Sequence, residues 1–463
     1  MLIFSLFIIV ISFFIFIGKL RTGRLYNPLS FYMMFWGAWI FVSLSNPFEL
    51  YEVSDGTYFT ILLSLFCFGI GYMIIDSPKI SRTDNESSVL KNIDFSFLNS
   101  KKFLVVQVVI FLILFTYYLK YSLLLSSMTL DDQRRIVFTV GLLFKTTYEL
   151  LFYNWIIKAA MMISAILIIV NYVVYGRKNI ASLIAVLNCV IFSFIGNGRL
   201  IFFDLLICII IAVAFKKSFS KAKKIPKYHI RKSSIKKALL FISGIFILIY
   251  VMNSTSMRRI GLENPSLYDM WDTFVTYSFK QGVVYFTGPI RALDYFLTSN
   301  IVDSVGYTYG RASFAGIEEV IVTFLSSFYS DQSLALNSAN AITAQFTVPN
   351  IIIGENQYFN AFYTHIMNFY LDYGVIGVMI LSILYGLISG AVFKYCLTNV
   401  NIFKISLLIY YIHHLIVSEF RWDYQAPASW IIVFSFVFMS IRYEKRKNVT
   451  SVQKVRKRIK IIW

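Results

Sequence analysis

The sequence predicts an all-α polytopic integral membrane protein, with about 11 transmembrane helices and one large extracytoplasmic loop carrying short amphipathic helices. Three observations predict this. Hydrophobic residues fill 58% of 463 positions and charged residues only 14%, with a mean hydropathy of +0.68, outside the range of soluble domains. Apolar runs long enough to cross about 30 Å of hydrocarbon recur along the chain. Between these runs the basic residues collect in alternate loops, as expected when those loops share the cytoplasmic side.

The runs fall at 2–18, 28–45, 57–75, 103–125, 155–175, 180–195, 200–215, 238–253, 364–393, 404–418 and 427–441. Lys19, Arg21 and Arg24 follow the first run, which reverses the charge order of a signal peptide and predicts an uncleaved anchor with its N-terminus outside. The segments 19–27, 77–102, 176–179, 216–237, 394–404 and 442–463 hold 31 of the 43 Lys and Arg residues. That bias orients the chain N-out and C-in. The formal net charge of +19 is then a signal of topology: the basic runs face anionic lipid and imply no nucleic-acid partner. Cys67, Cys189, Cys208 and Cys396 all lie in apolar runs without a C-x-x-C pair, so they read as small core residues. The organisation is an N-terminal bundle over 1–253, an external loop over 254–363, C-terminal spans over 364–441 and a basic cytoplasmic tail over 442–463.

The external loop is too long to lack structure. Ser266-Leu267-Tyr268-Asp269 has a capping-box pattern that opens a helix reaching about Phe286. Pro289 sits where a second helix can start and run through Arg291 to Leu297. A third is expected from Ser313 to Tyr329. These pieces are polar yet aromatic, as in helices that lie at a membrane interface.

Arginine carries the chemistry this sequence suggests. Arg199 follows Gly196-Asn197-Gly198 in a tight turn, Arg258 and Arg259 stand just beyond the run 238–253, and Arg311 lies in the external loop. Guanidinium is planar, permanently charged and matches phosphate oxygens two at a time. Convergence of these four side chains makes a diphosphate clamp. Arg421, within Glu419-Phe420-Arg421-Trp422-Asp423, reads as a supporting group, with Asp372 as a structural partner for an arginine such as itself. His365 and Glu355 are candidate bases, since both are external and His365 titrates near neutrality. Lys158 and Asp204 are the few charges within the spans. No metal site is expected: His413 and His414 are adjacent, so on a helix they diverge by about 100°.

The stretch Asn360-Ala361-Phe362-Tyr363-Thr364-His365-Ile366-Met367-Asn368-Phe369-Tyr370-Leu371-Asp372-Tyr373-Gly374-Val375-Ile376-Gly377 resembles the signature of O-antigen polymerases, the Wzy-type oligosaccharide repeat-unit polymerases. In that family a polar Asn/Thr/Tyr approach precedes Tyr-x-Asp-aromatic-Gly and a second Gly three residues on. The Gly-rich turn ending at Arg199 fits the same pattern. The resemblance implies a glycosyltransferase of the bacterial cytoplasmic membrane without a cofactor. It would join polyprenyl-diphosphate-linked oligosaccharides into O-antigen or capsule-type polysaccharide at the outer face, with polyprenyl diphosphate leaving. Arg199, Arg258, Arg259 and Arg311 would bind the diphosphate, and His365 or Glu355 would be the base. Asp372, Arg421 and Tyr363 would support them. A flippase and a chain-length regulator of the same pathway are the implied partners.

Two other readings stay open. An O-antigen ligase-like transferase shares the plan and differs in its acceptor. A flippase for the same lipid-linked sugar needs charges along a path between spans, and leaves the large external loop unexplained.

Overall fold

The computed structural model describes residues 2–76, 97–125, 137, 139–176, 179–195, 200–219, 279–299, 301–329, 332–355, 357–359 and 363–462. The N-terminal part forms α1 (Leu2–Thr22), α2 (Pro28–Ser45), α3 (Asp55–Ile74), α4 (Lys101–Leu125), α5 (Thr147–Val174), α6 (Ile180–Phe194) and α7 (Leu200–Phe219). Next come α8 (Phe279–Thr298), α9 (Ile301–Val305), α10 (Ala315–Tyr329), α11 (Gln332–Leu336) and α12 (Ala339–Thr347). A two-stranded antiparallel hairpin, β1 (Ile351–Gly354) and β2 (Gln357–Phe359), leads to α13 (His365–Leu397), α14 (Ile402–Val417) and α15 (Pro427–Ile462).

Among the described residues, six helices are long and apolar enough to cross a membrane: α1, α2, α3, α4, α5 and α13. The protein is a multi-pass membrane protein by that test. The 11 spans read from hydropathy are more than these. α6 and α14 are apolar but have 15 and 16 residues, α7 carries Asp204, Lys216 and Lys217, α15 passes from its apolar start into Arg442, Glu444 and Lys445, and the run 238–253 lies outside the described residues. The hairpin corrects the all-α expectation: Ile351-Ile352-Ile353 is a β-branched run that closes on Gln357-Tyr358-Phe359.

The bundle buries polar side chains between some of its helices and leaves apolar side chains on its outer faces. On α4, Gln107 is buried and donates from Nε2 to Ser164 Oγ of α5 at 2.8 Å, while Asn188 of α6 donates to the Gln107 carbonyl at 3.2 Å. Such bonds hold helices together where lipid offers no hydrophobic drive. Leu123, Ile180 and Leu183 on the outer faces are all more than half exposed, which suits contact with acyl chains.

Two cores meet at α14, all of whose residues are buried. One gathers Tyr32, Trp36, Phe68 and Tyr385 from α2, α3 and α13. The other gathers Ile166, Cys208, Ile412 and Phe436 from α5, α7, α14 and α15. The α3–α13 seam is drawn tight by small residues. A Cβ on Gly71 would stand 2.0 Å from the Ile383 carbonyl oxygen, and one on Gly386 would stand 2.1 Å from that of Phe68. Between them Ser64 and Ser382 share a 2.8 Å hydrogen bond.

Candidate functional site

Residues 363–377 build a corner. α13 breaks at Tyr373 and Gly374, and Gly374 takes φ 61° and ψ −146°, a conformation essentially reserved for glycine. The turn before the break is anchored by Asp372, which is fully buried. Its carboxylate accepts from the backbone N–H groups of Ala312 and Ser313, each at 3.0 Å, and from the Thr308 and Ser313 hydroxyls. Asp372 thus fixes the loop that opens α10. Its partner is this loop and not Arg421, because four local donors already satisfy it. Trp422 ties the same loop to the far side by donating its indole N–H to the Ser313 carbonyl at 2.9 Å.

Behind Trp422 lies a cavity of about 550 Å³, a size typical of small-molecule sites. Its acidic and basic lining is Lys158, Asp204, Glu319, His413, Arg421 and Asp423, and its aromatic lining includes Tyr153, Trp155, Tyr410 and Trp422. α5 reaches it through a π-helical turn, Phe152–Ile157. The extra residue in that turn shifts the helix face and brings Tyr153, Asn154, Trp155 and Lys158 to one wall; such turns are often found at functional sites.

Arg421 is the hub of the opposite wall. Its Nη2 donates to Asp204 at 3.1 and 3.3 Å and to Asp423 Oδ2 at 3.0 Å, and its Nε pairs with Asp423 Oδ1. His413 Nε2 lies 3.1 Å from Asp204, and His414 Nδ1 lies 3.0 Å from Asp423. Burial opposes the Arg421 charge, but Asp204 and Asp423 outweigh it and raise the pKa of the guanidinium. Burial likewise pushes the Asp423 carboxyl up, yet Arg421 and His414 hold it well below the usual carboxylate range. The ligand atoms of His413, His414 and Asp423 all lie within 4.8 Å of one another. Metal affinity is nonetheless disfavoured there, since both Asp423 oxygens are engaged by the permanent cation Arg421. The remaining nitrogen of Arg421, Nη1, is buried and has no hydrogen-bond partner among the described residues.

The structure separates the other expected site residues. Arg199, Arg258 and Arg259 lie outside the described residues. Arg311 is exposed and pairs with Glu318 Oε1 at 2.6 Å, with a second bond to the Asn337 carbonyl. Glu355 is exposed in the hairpin turn. Tyr363 is buried and donates to the Phe346 carbonyl at 2.9 Å. His365 is fully buried: Nδ1 donates to the Ser418 carbonyl at 2.9 Å, and Nε2 lies 3.1 Å from the Tyr32 hydroxyl. With Trp36, Phe369 and Trp422 around its ring, His365 is placed as a packing residue apart from the cavity lining.

No family model, curated protein or solved structure matches the chain.

Of the expected residues that are described, only Arg421 lines the cavity. Sequence reasoning noted Lys158 and Asp204 as lone charges in apolar spans but attached no site to them, and it missed Glu319, His413 and Asp423. The available signal was that an ionisable residue within a span faces a partner or a cavity, with Asp423 two residues from Arg421.

What the cavity can do follows from its charges. Lys158 and Arg421 face Asp204, Glu319 and Asp423, so the described lining carries no excess of positive charge to draw in a diphosphate. It offers flat aromatic faces beside planar polar groups (Asn154, Asn340 and Gln425 among them). A hydroxyl-rich ring with apolar C–H faces is the ligand these groups complement.

Proposed function

We propose that this protein polymerises polyprenyl-diphosphate-linked oligosaccharide repeat units at the outer face of the bacterial cytoplasmic membrane. The observation that carries the reading is the cavity: aromatic and carboxyl-lined, enclosed by membrane helices on one side and by α10 and α12 on the other. In this reading the cavity holds sugar residues next to the bond that changes. The hydroxyl at the non-reducing end of one repeat unit attacks the anomeric carbon of the other chain. The C–O bond to diphosphate breaks, and its electron pair leaves with polyprenyl diphosphate.

Lys158, exposed on the cavity wall, supplies one positive charge toward the departing group. Arg199 immediately precedes Leu200 of the lining in the sequence, and in this reading Arg199, Arg258 and Arg259 meet the diphosphate, while Arg311 is held by Glu318. Charge placed where charge develops is among the largest contributions an enzyme makes. The N-out, C-in orientation sets α8 to α12 and the hairpin outside, where lipid-linked sugar is presented after translocation. The signature resemblance supports the same assignment, with its Asp372 and Gly374 shaping the corner that leads into α10.

The test is deletion of the gene in its native host, with the surface glycolipid resolved on a gel. Collapse of the ladder to a single repeat unit on its acceptor is expected. Loss of all surface repeats while polymer accumulates on the lipid carrier would identify a ligase instead, and an unchanged ladder would overturn both.

A further inference from the structure

Of the carboxyl groups that line the cavity, two are committed. Asp204 and Asp423 each bond to Arg421, and each faces a histidine. The third, Glu319, sits on α10 and is half-buried. Among the described residues no cation pairs with it; its Oε2 accepts from Asn340 Nδ2 at 2.6 Å, and the Trp155 side chain also hydrogen-bonds to it. Its neighbour Glu318 has a different task, pairing with Arg311 and accepting from the Ala339 N–H at 2.9 Å to cap α12. Two consecutive glutamates on one helix diverge by about 100°, so one locks the external helices together while the other lines the cavity.

From this geometry we infer that Glu319 is the proton acceptor of the reaction, a role that rests on the polymerase reading above. Glu319 takes the proton of the attacking hydroxyl as that oxygen bonds to the anomeric carbon, and the electron pair of the broken bond departs on the diphosphate. Asn340 and Trp155 hold the carboxylate without neutralising it. Its environment suits the task. Desolvation raises the Glu319 pKa, and the hydrogen bonds from Trp155 and Asn340 offset this only in part. A base with a raised pKa removes a hydroxyl proton more readily than an ordinary carboxylate. The charged and titratable groups that line the cavity with it are Lys158 and Tyr153 from α5, Asp204 from α7, His413 and Tyr410 from α14, and Arg421 and Asp423 from the turn before α15. Of these, Arg421, Asp204 and Asp423 are bonded to one another, and Lys158 interacts with that same set.

The experiment uses the full-length protein in lipid nanodiscs with a polyprenyl-diphosphate-linked repeat unit, following chain extension on a gel. Glu319→Gln keeps the size and the acceptor oxygen for Asn340 but cannot take a proton. The expected result is a fall in kcat of about 10²- to 10⁴-fold, with little change in KM or in retention of the lipid-linked sugar. Wild-type turnover should rise with pH through one ionisation above the ordinary carboxylate range, and Glu319→Asp should keep that ionisation with reduced turnover. A Gln variant that extends chains at the wild-type rate with the wild-type pH profile overturns the assignment. A loss expressed wholly in KM, with kcat kept, also overturns it and makes Glu319 a binding group. If the wild type binds the substrate and extends nothing, the polymerase reading itself fails, a result distinct from failure of the Glu319 variant alone.

Discussion

Among single residues, Glu419 shows how burial alone sets behaviour. It is fully buried in the turn between α14 and α15, and neither carboxyl oxygen has a hydrogen-bond partner among the described residues. Burial raises its pKa well above the ordinary value, so the folded protein favours the protonated form. A carboxyl raised on folding contributes stability below its unfolded pKa, near 4.3, and that contribution is lost as pH rises through the folded value. Glu419→Gln has the same shape and no proton to lose. Thermal unfolding in detergent should therefore become less pH-dependent in the variant, with the stability gain growing toward alkaline pH. Parallel curves for the two proteins would contradict this account. Arg421 next door is the opposite case: its charge is stabilised from both sides by Asp204 and Asp423. Both residues stand in one five-residue stretch of sequence, and nothing in that stretch says which has partners. The partner Asp204 comes from 217 residues away.

At the scale of elements, the α3–α13 seam makes a direct prediction. Gly386→Val places carbon atoms where the Phe68 carbonyl already stands, so the two helices must separate. A loss of about 1–3 kcal/mol or more is expected from overpacking, read as reduced yield and a lower unfolding temperature. Gly282 on α8 has open space around it, and Gly282→Ala should leave both unchanged. Equal effects would mean that close packing is not what the glycines provide. The elements were also where the sequence was most legible. Apolar runs located α1 to α5 and α13 because a membrane rewards an unbroken apolar length. The third amphipathic helix was expected from Ser313 and forms from Ala315 to Tyr329. Pro289, a helix start by its sequence, lies inside α8; proline fits a helix wherever the missing N–H and the displaced carbonyl are tolerated. The π turn at Phe152–Ile157 was invisible to sequence, because an added residue in one turn leaves the hydropathy of the run unchanged.

For the whole molecule, hydropathy and charge read the membrane character well and the site poorly. The cavity is assembled from α5, α6, α7, α10, α12, α14, α15 and the turn before α15, and periodicity along one helix holds no record of which other helices adjoin it. The orientation is testable at the same scale. The four native cysteines are buried and should give little background. Glu355→Cys in the hairpin should react with a membrane-impermeant maleimide in intact cells, whereas Arg446→Cys in the tail should react only after permeabilisation. The reverse pattern would invert the topology and move the cavity to the cytoplasmic side.

The four bonds that Asp372 makes to the loop 308–313 do more than close a corner. That loop feeds α10 directly, so Asp372 acts as an indexing pin that sets the rotational phase of the helix. A slip of one residue would turn the helix by about 100°, carrying Glu319 off the cavity wall. Asp372, which does not itself line the cavity, thereby determines which of two neighbouring glutamates faces it.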